Sequence, residues 1–216
     1  MIDNKSMEEI NDLEKKIMTI YRNVTTSLYD WIFFNQDEFG SKIYKNGEQI
    51  LILKPVKNLF AEELAYQFWN TDKDFKMSWD ESIEDVKLLK MIDSNTAILH
   101  VIFKSVLFVS KRDIVMYSHI KQINNDSWMV INHSLSGYDT LKDIVRINLD
   151  VVMILKEKLR DKTGTKTRDN IYCDMFYYGV VNLKGWLPDN VVKHQCGKKW
   201  PQVLENLCEK TNKSIT

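Results

Sequence analysis

The sequence predicts one α+β domain in which helices lie against a curved antiparallel sheet, and three observations predict it. The elements follow in the order α, ββ, α, about six strands, α. No βαβ alternation of the kind that builds a parallel sheet is found. The last two strands are apolar on both faces over part of their length.

The first helix opens on Ser6-x-x-Glu9, which reads as a capping box. It carries Ile10, Leu13, Ile17, Ile20, Val24, Leu28 and Trp31 at spacings of three and four, and Asn23 is where it would break. Between Phe39 and Val56, Gly40 and Asn46-Gly47 punctuate the β-type runs Lys42–Tyr44 and Gln49–Leu53, a hairpin pattern. Leu59, Phe60, Leu64, Phe68 and Trp69 return to helical spacing in a second helix that fades by Trp79. Four strands come next, Val86–Ile92, Thr96–Phe103, Asp113–Ile120 and Trp128–Leu135, separated by short polar turns. After a polar loop at Ser136–Asp143, the runs Val145–Leu155 and Ile171–Val181 continue the sheet on either side of the turn Asp161–Thr167. Their centres, Val151–Ile154 and Met175–Tyr178, do not alternate as half-exposed strands would. One face therefore packs on a helix, and the other meets a core or a cavity. Pro188 opens a last helix in which Val192, Cys196, Trp200, Val203, Leu204, Leu207 and Cys208 share a stripe.

With 216 residues, a single domain (1–216, core about 7–212) is the expectation. The 44% hydrophobic and 28% charged fractions are globular, and no apolar run reaches the roughly 20 residues of a membrane helix. Thirty basic residues balance thirty acidic ones without forming blocks, which argues against nucleic acid as a partner. Cys173, Cys196 and Cys208 lack metal-ligand spacing and read as reduced packing residues, so neither a metal nor any other cofactor is expected. His100, His119, His133 and His194 are scattered and stand beside no nucleophile or metal motif; each reads as structural. The start MIDNKSMEEI has no apolar leader core, so the expected address is cytoplasmic unless a targeting segment has been trimmed.

Trp79-Asp80, Ile92-Asp93, Ser110-Lys111-Arg112-Asp113, Trp128-x-x-x-Asn132-x-Ser134, Val145-Arg146 and Gly185-Trp186-Leu187-Pro188 stand in a telling order and spacing. From about Phe39 to Leu207 the chain resembles the START family of lipid-binding domains, and Arg168–Ile171 is similar to a run in its ceramide-carrying members. The resemblance implies a helix-grip fold, with a long C-terminal helix covering an apolar lipid tunnel and loops that open at a membrane. It implies a monomeric intracellular carrier, not an enzyme, that extracts one membrane lipid and touches membranes transiently and peripherally. The lipid would be a phospholipid such as phosphatidylcholine, or a sphingolipid such as ceramide or sphingomyelin. A lipid-sensing module without transfer and a cyclase-like enzyme on the same fold are the other two classes left open.

In ceramide-binding members an Arg and a Glu four residues apart, a Gln, an Asn and a Tyr hold the lipid's amide and hydroxyls. The matching lipid-binding positions are Lys76, Asp80, Val101, Asn132 and Tyr177. Lys76 and Asp80 keep the charges but lose the guanidinium fork and some reach, and Val101 removes a hydrogen-bonding group. By spacing alone Lys76 and Asp80 form either a surface ion pair or a pair facing the cavity. Asn132 shares a strand face with Trp128 and Val130, so its amide requires a partner, either backbone or ligand. Tyr177 belongs to an aromatic run, with its ring expected in the core and its hydroxyl toward the ligand. Leu107, Phe108 and Trp186 are apolar loop tips that either cap the core or dip into a membrane; the resemblance implies the latter, and Trp186 stands at one of the family's membrane-contacting positions.

Overall fold

The computed structural model describes residues 4–24, 26, 28–105, 110–162, 164–182, 184 and 198–215. Helix α1 (Asn4–Val24) leads into strands β1 (Ile32–Gln36), β2 (Lys42–Asn46) and β3 (Gln49–Lys57), then helices α2 (Ala61–Trp69) and α3 (Lys73–Trp79). Strands β4 (Ile83–Asp93), β5 (Thr96–Phe103), β6 (Arg112–Asn124), β7 (Ser127–Ser134), β8 (Val145–Arg146), β9 (Asn148–Leu159) and β10 (Ile171–Asn182) follow, and α4 (Trp200–Ile215) is the last described element. One sheet runs in the order β1-β2-β3-β10-β9-β7-β6-β5-β4. Every pairing along that path is antiparallel, and β8 adds a short parallel bridge to β6.

Several expectations are corrected. Ser6 lies inside α1 and does not cap it, and the helix ends at Val24, so Leu28 and Trp31 are not helical. The apolar residues that follow instead form β1, the edge strand next to β2. The second helical pattern divides into two helices. Asn70 turns to φ −40, ψ 131, and Asp72 starts a new helix by accepting the Phe75 N–H at 2.7 Å. The run from Val145 to Leu155 also divides, at Ile147, into β8 and β9. The expected helix start at Pro188, with Val192 and Cys196, lies outside the described residues.

The two faces of the sheet are covered differently, which explains strands apolar on both sides. On the outer face, Leu13 and Ile17 of α1 pack on Leu51, Met129, Ile131, Val152, Ile154, Phe176 and Tyr178. A side chain as fully buried as Ile17 contributes about 2 kcal/mol. On the inner face, Leu64 and Phe68 of α2, Trp79 of α3, and Leu204 and Leu207 of α4 share a core with Ile52, Ile120, Val130, Val151, Met153 and Tyr177.

Charged residues fasten these layers. The N-terminus of α2, where unpaired N–H groups and the helix dipole favour anions, meets two carboxylates. Glu63 accepts the Phe60 N–H at 3.3 Å, and Glu157 of β9 accepts the Ala61 N–H at 2.8 Å. Arg168 reaches back to Glu63 at 2.6 Å, so the Arg168–Ile171 run ties the last strand to α2. Asp113, fully buried on β6, accepts from Arg146 Nε and Nη2 at 2.8 and 2.9 Å and lies 2.7 Å from His100 Nε2. Burial alone would raise the pKa of this carboxyl, but the hydrogen bonds from Arg146 and His100 hold it below the usual range. The Arg112-Asp113 and Val145-Arg146 motifs are thus a structural clamp. His133 acts likewise beneath α1, 2.7 Å from Asp150 and 3.6 Å from Glu9.

Candidate functional site

Strand register sets a row of residues across the sheet: Ile50, Gly179, Val151, Asn132, Ser118 and Ala97 are successive cross-strand partners. Alternation places this row on the inner face, with Val130 and Ile120 one pleat away. Asn132 and Ser118 are therefore polar residues embedded in an apolar wall. Asn132 is 7% exposed, and among the described residues its amide makes no side-chain hydrogen bond. The Ser118 hydroxyl is also buried without a partner, while its carbonyl accepts the Trp69 indole N–H at 3.3 Å. On α3, in the same inner-face core, the Trp79 indole N–H is likewise buried without a partner among the described residues. Native interiors rarely leave such groups unpaired, so the Ser118 hydroxyl and the Trp79 indole, together with the Asn132 amide, mark a place where a ligand would supply the missing bonds.

Lys76 is inside the molecule, 5% exposed, where sequence spacing also allowed a surface ion pair. Its Nζ donates to the Phe68 carbonyl at 3.0 Å, one of the terminal carbonyls of α2 that lack an intrahelical partner. The break between α2 and α3 makes this contact geometrically available. Burial pushes the ammonium pKa down to about 8, against the opposing charge of Asp80. Asp80 ends α3 with its own N–H on the Lys76 carbonyl at 3.0 Å, and its Oδ1 accepts the Ser82 N–H at 3.0 Å and the Ser82 hydroxyl at 2.5 Å. Burial raises its pKa, and the Ser82 bonds and Lys76 only partly offset this. Lys76 is thus buried, whereas Asp80 is only half-buried, with one carboxylate oxygen engaged by the turn.

The Trp79 ring lies 5.7 Å below Lys76 Nζ and 6.1 Å from Phe68, whose ring is edge-on to Tyr177 at 6.3 Å. Tyr177 in turn meets Trp200 of α4 at 6.1 Å. Lys76 and Tyr177 are thus joined by one aromatic chain, with Asn132 in the row beside it. Val101 is placed apart, 2% exposed among Val86, Leu99, Ile114 and Met116, with no polar group in that cluster. Leu107, Phe108 and Trp186 lie outside the described residues.

Sequence reasoning missed the Trp79 indole, Ser118 and Gly179. A Cβ at Gly179 would sit 3.2 Å from the Trp200 ring, so this glycine lets α4 approach the sheet closely. A glycine inside an apolar strand was the available signal. Among the described residues no cluster of His, Cys, Asp and Glu could hold a metal, and no helix is long and apolar enough to cross a membrane.

An antiparallel sheet, gripped on its inner face by a C-terminal helix over buried unpaired polar groups, defines an α+β domain of the helix-grip class. Residues 12–214 match the START domain family, and the chain belongs to that family. The ceramide transfer protein of Xenopus tropicalis is 27% identical over 186 residues, and that of Homo sapiens 28% over 188, each match covering 78% of this chain. The matches cover only 30% of those relatives, so the chain spans under a third of their length. Among solved structures, human StAR-related lipid transfer protein 5 superposes with a TM-score of 0.75 at 14% identity, covering 98% of this chain and 99% of that one. Human STARD10 superposes with a TM-score of 0.71 at 17% identity, covering 91% and 79%. These superpositions show the fold.

Proposed function

We propose that this single START-type domain is a monomeric carrier, not an enzyme, that extracts one membrane lipid and moves it between membranes. The observation that carries the reading is Asn132, a buried amide without a hydrogen-bond partner among the described residues, set in an apolar wall beside Ser118. A lipid polar group supplies that partner while its chains occupy the apolar surroundings. Lys76, Asp80 and Tyr177 complete the polar end, and Val101 lines the chain-contacting wall. Leu107, Phe108 and Trp186 form the membrane-touching lip.

The lipid is a sphingolipid with a free amide and hydroxyls, ceramide first. The ceramide transfer relatives support this, as does a polar end whose opposite charges, Lys76 and Asp80, cancel. Such a carrier has a clear physical use, since each methylene exposed to water costs about 0.8 kcal/mol and a long chain costs on the order of 10 kcal/mol.

The test is extraction of the purified protein followed by mass spectrometry, with transfer assays between vesicles carrying ceramide, sphingomyelin or phosphatidylcholine. About one lipid per chain is expected, and ceramide should transfer fastest. Neither bound lipid nor transfer of any of the three would overturn the proposal. Asn132→Val sharpens it: loss of one hydrogen bond should slow transfer about tenfold. Removing an unpaired buried amide should leave the lipid-free fold as stable as before or more so.

A further inference from the structure

The two edges of the sheet are built differently. Edge strand β4 exposes Leu88, Leu89, Met91 and Ile92, but it intersperses Lys87, Lys90 and Asp93 and carries three register irregularities against β5. Charges and bulges of this kind are how proteins keep an edge from sticking to other surfaces. Edge strand β1 has no charged residue. Its five residues are all exposed, with Ile32 at 74%, Phe33 at 55% and Phe34 at 40%, and Tyr29 just ahead of it at 97%. One register irregularity, between Phe33 and Asn35, leaves Phe34 as the extra residue, its ring capped by Lys45 Nζ at 4.0 Å. The hairpin partner β2 contributes two basic residues, Lys42 and Lys45, while the exposed acids Asp30 and Glu38 stand just before and just after β1. Large apolar groups standing in water beside lysines fit the interfacial layer of a bilayer, where rings partition and ammonium groups meet phosphates.

Register locates this patch relative to the rest of the molecule. Ile32 pairs with Lys45, Lys45 with Ile50, Ile50 with Gly179, Gly179 with Val151, and Val151 with Asn132. Tyr29 lies beyond this row, toward the end of the sheet where β10 stops at Asn182 and β5 hands over to β6 between Phe103 and Arg112. The exposed patch thus runs along the edge of the sheet toward the end at which the proposed lip would stand.

We propose that Tyr29, Ile32, Phe33 and Phe34, with Lys42 and Lys45, form a second membrane-docking surface that holds the carrier against a bilayer while its lip works. This inference rests on the carrier reading for the direction in which the patch faces, and its occupant is a lipid bilayer. The test uses sedimentation with vesicles of phosphatidylcholine and phosphatidylserine, comparing the wild-type chain with Ile32→Thr, which keeps a β-branched strand residue, and Tyr29→Ser, which lies outside the strand. Far-UV circular dichroism verifies the fold.

Each variant should associate with vesicles several-fold more weakly, and the double variant about tenfold more weakly, with lipid carried per chain unchanged. Unaltered vesicle association in the double variant would overturn the proposal. So would a wild-type dimer, seen by analytical ultracentrifugation, that the substitutions dissociate without affecting vesicle binding, since the occupant would then be a second copy of the chain. Lipid content separates the two readings: a wild-type protein that carries no lipid overturns the carrier reading, whereas weaker vesicle binding by the variants still supports the surface.

Discussion

The Glu205 carboxylate of α4 meets the Lys54 ammonium of β3 inside the molecule, with the Lys54 side chain only 3% exposed. The ammonium also lies 5.5 Å over the Phe39 ring. This contact joins the helix that covers the inner face to the sheet beneath it, next to the Leu204–Leu207 packing.

Because Lys54 is buried, removing its partner costs more than the pair contributes. Glu205→Gln should lower stability by about 3 kcal/mol in urea denaturation. Lys54→Met with Glu205→Leu should recover most of that loss, because neither charge then remains inside. A double variant as unstable as the single one would show that the contact orients α4 in a way packing cannot replace.

Gly179 and Trp200 make a second, purely steric contact between the same helix and the sheet. Gly179→Ala places a methyl 3.2 Å from the Trp200 ring, so the indole must shift by a few tenths of an ångström. Trp200 also touches Tyr177, so the shift propagates to the site. Stability should fall by about 1 kcal/mol, the scale of mild overpacking, and the tryptophan emission should change. Trp200→Phe in the same chain should restore stability. A Gly179→Ala protein with wild-type emission and stability would place the ring elsewhere.

Lys76 makes stability depend on pH in a direction opposite to that of a paired lysine. Its folded pKa is lowered to about 8 from 10.5, so between those values the unfolded chain holds the proton more firmly. The charged form therefore costs the fold about 3 kcal/mol below pH 8, a penalty relieved as pH rises toward 10.5. Other lysines and tyrosines titrate nearby, so the informative quantity is the difference between wild type and Lys76→Met. That difference should shift in favour of the wild type from pH 7.5 to pH 10, and a difference independent of pH would mean that Lys76 reaches water.

The sequence made the layers legible because burial writes itself as periodicity. Ile10, Leu13 and Ile17 gave α1 its stripe, and Met175–Tyr178 lost alternation because α1 and α2 cover opposite faces. Ile32–Phe34 misled for the same reason: three apolar residues extended the helical spacing, although all three stay exposed on an edge strand. The α2–α3 break was invisible to hydrophobic spacing, since Phe68, Phe75 and Trp79 remain in phase across it, while Asp72 as a helix cap was the local clue. At the site, Lys76, Asn132 and Tyr177 are buried and Asp80 is half-buried, a distinction that the spacing of Lys76 and Asp80 did not carry. The partnerless state of Asn132 and the Trp79 indole was not readable, because hydrogen-bond satisfaction depends on neighbours distant in the chain.

The Lys76 ammonium is moored to the Phe68 carbonyl, a main-chain atom that no change of side chain can remove. The position of the ammonium is consequently set by the helix break, while its charge still leans on Asp80 against the cost of burial. Substitutions at Val101 or Tyr177 leave this main-chain anchor in place. Recognition and architecture are separately inheritable in such a domain, which gives a physical route for one scaffold to diversify its cargo without first having to survive a loss of stability.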